Sequence, residues 1–168
     1  VVEDDPQGAR LERFQLERSG YAAVVAGTRD SLFAQLRGGA ADLMVLDIGL
    51  ADGVNGLDLY TEVRAAGFDV PAVLVTGRHN DELLIRALRA GVRDVLPKSS
   101  SFAELLPGVI GRVLAQVRTE KRLIESEARL ASIIGSTLDA ILVAGTDWRV
   151  SLMNPAAERM FRCRAEDG

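Results

Sequence analysis

Five polar residues stand where apolar runs of this chain end: Glu3 and Asp4 after Val1-Val2, Asp47 after Leu43-Met-Val-Leu46, Thr76 after Val73-Leu-Val75, and Lys98 after Val95-Leu-Pro97. Carboxylates, a hydroxyl and an ammonium at successive strand ends could build one polar site that holds a cation. Three carboxylates at one place repel, each pair by roughly 1 kcal/mol at 4 Å in bulk water and about 4 kcal/mol at an intermediate dielectric. A hard divalent cation relieves that repulsion. Magnesium suits one or two carboxylates, a backbone carbonyl, waters and a phosphoryl oxygen. No His or Cys stands in the set to favour zinc.

The elements that must gather these residues alternate along the chain. Strands are expected at Val1-Val2, Tyr21 to Ala26, Leu43 to Leu46, Val70 to Thr76 and Arg93 to Pro97. Between them fall helices with stop signals. One starts at Pro6 with Asp5 as N-cap, carries Leu11, Phe14 and Leu16 on an apolar side and ends at Gly20; the others run over Asp30 to Arg37, Leu57 to Ala65 and Asp81 to Ala90. Such alternation predicts an α/β fold with a five-stranded, doubly wound parallel sheet in the flavodoxin-like order two-one-three-four-five. In open sheets of this kind the chemistry sits beyond the carboxyl ends of the strands, where the polar set stands.

Ser101-Phe-Ala-Glu104 matches a capping box and predicts a fifth, unusually long helix, with Pro107 giving a kink or a late start. Ile110, Val113, Val117, Ile124, Ala131 and Ile134 follow a/d spacing, with Glu120 and Glu127 at d positions. That mixed seam predicts a connector helix packing in a homodimer. Beyond it, Asp139 to Asn154 reads as two short strands joined by a Gly-Thr-Asp turn, and a helix follows from Pro155 to about Phe161.

Composition sets limits on function. The 168 residues, 48% hydrophobic and 26% charged, suit one complete domain and a further piece. The net charge of −4 and the absence of a Lys/Arg stripe argue against a nucleic-acid surface. The single cysteine, Cys163, excludes an internal disulfide and fits a cytoplasmic protein, and no apolar run reaches the ~18 residues of a membrane span. His79, the one histidine, reads as an exposed loop residue, so the chain carries no phosphodonor motif of its own.

Up to about Ala115 the chain resembles the receiver domain of two-component response regulators. The resemblance rests on Val-Val-Glu-Asp-Asp-Pro, on Asp47 with its Gly-Leu-x-Asp-Gly-x-x-Gly-Leu continuation, on Leu-Val-Thr-Gly at 74–77 and on Asp-Val-Leu-Pro-Lys at 94–98. It implies that Asp47 is the phosphoacceptor, supplied by a histidine kinase or histidine phosphotransfer protein. It also implies Mg2+ ligation by Asp4, Asp47 and the Gly49 carbonyl, with Glu3 acting through water or the metal. Lys98 would pair with the phosphoryl oxygens and the Thr76 hydroxyl would hydrogen-bond them. Such a domain accepts a phosphoryl group stoichiometrically and is not itself an enzyme.

Some positions depart from the family pattern. Val95 stands where an aromatic residue is frequent, Ser99 and Ala51 replace common prolines, and Gly49 and Arg78 occupy the positions that tune dephosphorylation. These departures keep an alternative open: a receiver-like module that works by protein contacts without switching. A magnesium-dependent hydrolase would need a second acid-base residue that the sequence does not show. From about Leu130 to Gly168 the chain resembles the start of a PAS sensory domain, through Asp139-Ala-Ile, Asp147, Asn154-Pro-Ala-Ala-Glu158-Arg-Met-Phe161 and Glu166-Asp-Gly168. The resulting division is a receiver over 1–115, a linker helix over 116–134 and a partial α+β PAS segment over 135–168.

Overall fold

A computed structural model describes residues 1–39, 41–77, 81–147 and 149–162, apart from the Asp52 side chain. Arg78, His79, Cys163 and the Glu166–Gly168 stretch, singled out from the sequence, lie outside the described residues. The chain divides into two units, Val1–Val117 and Arg118–Gly168.

In the first unit the order is α1 (Pro6–Arg18), α2 (Arg29–Arg37), β1 (Met44–Asp47), a 3-10 turn (Ala51–Gly53), α3 (Gly56–Ala65), β2 (Ala72–Thr76), α4 (Asp81–Arg89), β3 (Asp94–Pro97) and the start of α5 (Phe102–Ser136). The expectation of five regular strands is corrected to three, parallel in the order β1-β2-β3. The first two expected strands survive as single parallel bridges, Val2 to Ala26 and Val2 to Leu46. Pairing stops after Glu3, because Asp5 already caps α1 and Pro6 opens it, which leaves isolated bridges in place of a ladder. Main-chain bonds from Ala26 N to Val1 O (2.8 Å) and Asp47 N to Val2 O (3.0 Å) still keep the expected lateral order. Among the described residues β3 pairs with β2 alone and so forms the edge of the sheet.

Period-two alternation sends side chains to both faces of the sheet. Met44, Leu46, Ala72 and Leu74 pack with α2, α3 and Ala87 of α4, while Val45, Val73 and Val75 pack with Leu16 of α1 and with Leu106, Ile110, Val113 and Leu114 of α5. Two sequence expectations fail against this packing. α1 buries Ala9, Glu12 and Leu16 and leaves Leu11 and Phe14 exposed, because contact with the sheet, not the apolar tally, sets its inward face. Ile110 and Val113, the first a/d positions of the supposed seam, belong to this unit's own core.

α5 starts at Phe102, directly after Ser101, and continues through Pro107, so the late start is not taken. A proline at the sixth helical residue removes one intrahelical bond. The Tyr21 hydroxyl donates to the Pro107 carbonyl at 3.5 Å.

The second unit holds the rest of α5, the antiparallel pair β4 (Leu142–Ala144) and β5 (Val150–Met153), and α6 (Pro155–Phe161). Its pivot is Asn154, buried at the head of α6. Asn154 Oδ1 accepts from Ile141 N and Ala157 N, each at 2.9 Å, and Nδ2 donates to Ile134 O (3.1 Å) and Asp139 O (2.9 Å). All four hydrogen-bonding positions of that amide are thereby used.

Candidate acidic phosphoryl-transfer site

Asp47 ends β1 after three fully apolar buried residues, so the strand carries its carboxylate to the sheet edge in a setting that is itself buried. The loop beyond is fixed by main-chain bonds: Ile48 N to Val75 O (3.0 Å), Leu50 N to Val54 O (3.2 Å) and Gly56 N to Ile48 O (2.9 Å). Asn55 caps α3, its Oδ1 accepting from Leu57 N at 2.9 Å. Gly56 passes directly behind Asp47, with no room for a Cβ against the Asp47 carbonyl. The Gly49 N–H donates to Asp47 Oδ1 at 3.2 Å, orienting the carboxylate.

Glu3 and Asp4 arrive from the chain that bridges β1. Glu3 is 2% exposed; its Oε1 accepts from Asp5 N at 3.1 Å. Asp5 caps α1 as the sequence indicates, accepting from Gln7 N at 3.3 Å and Gly8 N at 2.9 Å. Carboxylate oxygens of Glu3, Asp4 and Asp47 all lie within 4.8 Å of one another. That spacing fits the shared coordination sphere of a hard cation with oxygen ligands.

Lys98 follows β3, where its N–H donates to Thr76 O at 2.7 Å. Its ammonium donates to Glu3 Oε2 and to Asp47 Oδ2, both at 2.7 Å. Burial works to lower the Lys98 pKa, but the bonds to Asp47 and Glu3 outweigh it and push it up to about 12. The Phe102 ring lies 6.0 Å from the same ammonium. Thr76 ends β2, buried, with its Cα opposite Pro97. Asp47, Gly49, Thr76 and Lys98 line one open cleft of about 670 Å³, whose far side is formed by Glu82 and Arg86 of α4.

The expected residues therefore come together: Glu3, Asp4, Asp47 and Lys98 by direct proximity, and Gly49 and Thr76 along the same cleft. Four residues have roles that the sequence reading did not assign. Gly56 was one glycine among several in a loop. Glu82 and Arg86 lay in an amphipathic helix without a motif. Glu12 was hidden in the periodicity of α1, yet it is 1% exposed and its Oε1 has no hydrogen-bond partner among the described residues. Burial pushes its carboxyl up to about 7; the nearby Glu3 charge adds to the rise, and the Lys98 ammonium opposes it. A charged residue at the inward i, i+3, i+7 position of α1, between Ala9 and Leu16, was the available signal.

Comparison with known proteins agrees with this geometry. A family model described as the response regulator receiver domain matches residues 1–109. The swarming motility regulation protein RssB of Serratia marcescens is 34% identical over 109 residues, 65% of this chain and 49% of that protein. The DNA-binding transcriptional regulator NtrC of Rhizobium meliloti is 28% identical over 129 residues, 77% of this chain and 26% of that protein. This chain thus spans between about a quarter and a half of those relatives. Among solved structures, NtrX from Brucella abortus superposes with a TM-score of 0.67 at 28% identity, covering 87% of this chain and 31% of that one. The receiver domain of the Francisella response regulator 1452 shares the fold, with a TM-score of 0.63 at 20% identity, covering 70% of this chain and 95% of that one. The sheet order, the acids at the strand ends and the family match over most of the chain lead to one conclusion: this chain belongs to the response regulator receiver domain family of two-component signalling.

Proposed function

We propose that Asp47 is the phosphoacceptor of this receiver and that its phosphorylation depends on magnesium. Receiver domains take their phosphoryl group from histidine kinases or histidine phosphotransfer proteins, and such a donor is the partner proposed here. An Asp47 carboxylate oxygen attacks phosphorus; the O–P bond forms as the P–N bond breaks, and the imidazole nitrogen leaves with the bonding pair and takes up a proton. Asp4, Asp47 and the Gly49 carbonyl would hold the ion, with Glu3 behind them. When bound, magnesium supplies charge neutralisation between the carboxylates and the incoming phosphoryl oxygens. Lys98 then exchanges its carboxylate bonds for phosphoryl oxygens, and the Thr76 hydroxyl donates to them from the β2 end.

The observation that carries this reading is the Lys98 ammonium at 2.7 Å from both Glu3 and Asp47, at a cleft that also reaches Thr76. For the rest of the chain we propose residues 1–115 as the receiver, 116–134 as a linker helix joining two copies, and 135–168 as the start of a PAS domain. The β4–β5 pair followed by the Asn154-capped α6 supports the last part. The alternative, a contact module that does not switch, draws on Val95: it is a half-buried aliphatic packed on the core, in the place of the family's frequent aromatic.

Intact mass after incubation with magnesium and acetyl phosphate tests the reading. One phosphoryl adduct is expected, absent in Asp47→Asn and absent when the metal is chelated. If no adduct forms, and beryllofluoride leaves the protein's spectra unchanged, the contact-module reading replaces it.

A further inference from the structure

The part of α5 in the second unit is exposed on every side from Lys121 to Ile133. Leu123, Ile124, Leu130 and Ile133 are each more than half exposed on it. A lone helix does not hold so much aliphatic surface in water without cost; at about 25 cal/mol per Å2, covering three such side chains contributes several kcal/mol. The charges beside these residues say what covers them. With Leu123 and Leu130 at a positions, Thr119, Ser126 and Ile133 fall at d, Glu120 and Glu127 at e, and Arg122 and Arg129 at g. This register is shifted by one residue from the seam that starts at Ile110, and it moves both glutamates from the core to its flank.

The g positions are therefore basic and the e positions Glu120 and Glu127 acidic, with Ile134 the next e position. Two such helices in parallel set g of one against e of the other, five residues on, so that Arg122 meets Glu127 of the second copy twice by symmetry. In an antiparallel pair g faces g and e faces e, which opposes arginine to arginine and glutamate to glutamate whatever the stagger. Glu127 has no counter-charge on its own helix: its i±3 and i±4 neighbours are Leu123, Ile124, Leu130 and Ala131. Arg122, by comparison, has Glu125 three residues on.

We propose that residues 118–134 pair in parallel and in register with the same segment of a second copy, along Leu123, Leu130 and Ile133, with Arg122 of one copy against Glu127 of the other. This rests on the reading of the long helix as a linker between copies and adds its direction, register and selecting charges. The polar Thr119 and Ser126 at d make the association modest, so it is concentration-dependent.

Sedimentation equilibrium of the whole chain over a range of concentrations reads it. Arg122→Glu and Glu127→Arg should each weaken the dimer by about tenfold or more, and the double exchange should restore most of the loss. Oxidised Leu130→Cys in a Cys163→Ser background should give a covalent dimer at the wild-type association range. A dimer indifferent to all three charge variants overturns the parallel pairing while leaving dimerisation by another surface. A wild-type chain monomeric at every concentration overturns both the pairing and the linker reading. Neither result touches the phosphoacceptor, because the mass adduct on Asp47 is read on monomer and dimer alike.

Discussion

Gly56 stands directly behind Asp47, its α-carbon so close to the Asp47 carbonyl that a Cβ would overlap the carbonyl oxygen and press on the Ile48 main chain. The contact is main chain to main chain, so no side-chain rotation can relieve it. Gly56→Ala is therefore expected to destabilise the protein by about 2 kcal/mol or more through forced backbone movement. Urea denaturation measures the loss. The same shift moves the Asp47 carboxylate, so the acetyl phosphate adduct should also form more slowly in the fraction that remains folded.

Glu12 predicts a pH effect of defined sign. Its folded pKa of about 7 lies above the ordinary carboxyl value of 4.5, so the native state holds the proton more tightly than the unfolded chain. Stability from this group is complete below about 4.5, falls as pH rises and levels off above about 7. Glu12→Gln removes that dependence. Its stability should match the wild type near pH 4 and exceed it at pH 8 by as much as about 3 kcal/mol. Thermal unfolding of both proteins across this range checks the expectation, and parallel curves would refute it.

Lys98 neutralises two carboxylates at once. Lys98→Met leaves Glu3 and Asp47 facing each other without a counter-charge, which lowers stability in metal-free buffer. With no ammonium to compete for the same oxygens, magnesium binding should tighten by roughly tenfold, about 1.4 kcal/mol. Calorimetric titration reads the affinity. The variant should nonetheless form the Asp47 adduct poorly, since nothing then pairs with the phosphoryl oxygens.

Asn154→Ala opens four hydrogen bonds in a buried place and leaves the Ile141 and Ala157 amides without their acceptor. The cost should reach about 2–4 kcal/mol within the second unit. Hydrogen exchange of these two amides should speed up together, while the amides of β1 and β2 keep their wild-type protection.

The site was far more legible in the sequence than the packing around it. Asp47 and Thr76 each follow a run of buried apolar residues and Lys98 follows the partly buried Val95-Leu-Pro97, and strands that alternate with helices bring such ends to one edge, so their meeting followed from pattern. Glu12 did not follow, because Leu11 and Phe14 drew the apolar face of α1 to the wrong side and only contact with the sheet decides between faces. Ile110 and Val113 were misread for a related reason. Their spacing suits a coiled-coil seam and a helix lying on its own sheet equally well, and the buried Val73 and Val75 settle the matter. The first two strands were overcounted because Asp5 and Pro6 turn the chain into α1 directly after Glu3, so that isolated bridges stand in place of a ladder.

The edge strand β3 carries a consequence for the protein in concentrated solution. An open edge is a template on which other chains can stack. Here that template is four residues long, Pro97 brings no N–H to it, and the Val95 N–H is already taken by Asp94 Oδ1 at 2.8 Å. The Asp94 carboxylate is held in turn by Arg112 of α5 at 2.5 Å, which keeps charge along the margin. This margin offers little for intermolecular sheet growth, so crowding should drive these chains together through side chains before it drives them into fibrils.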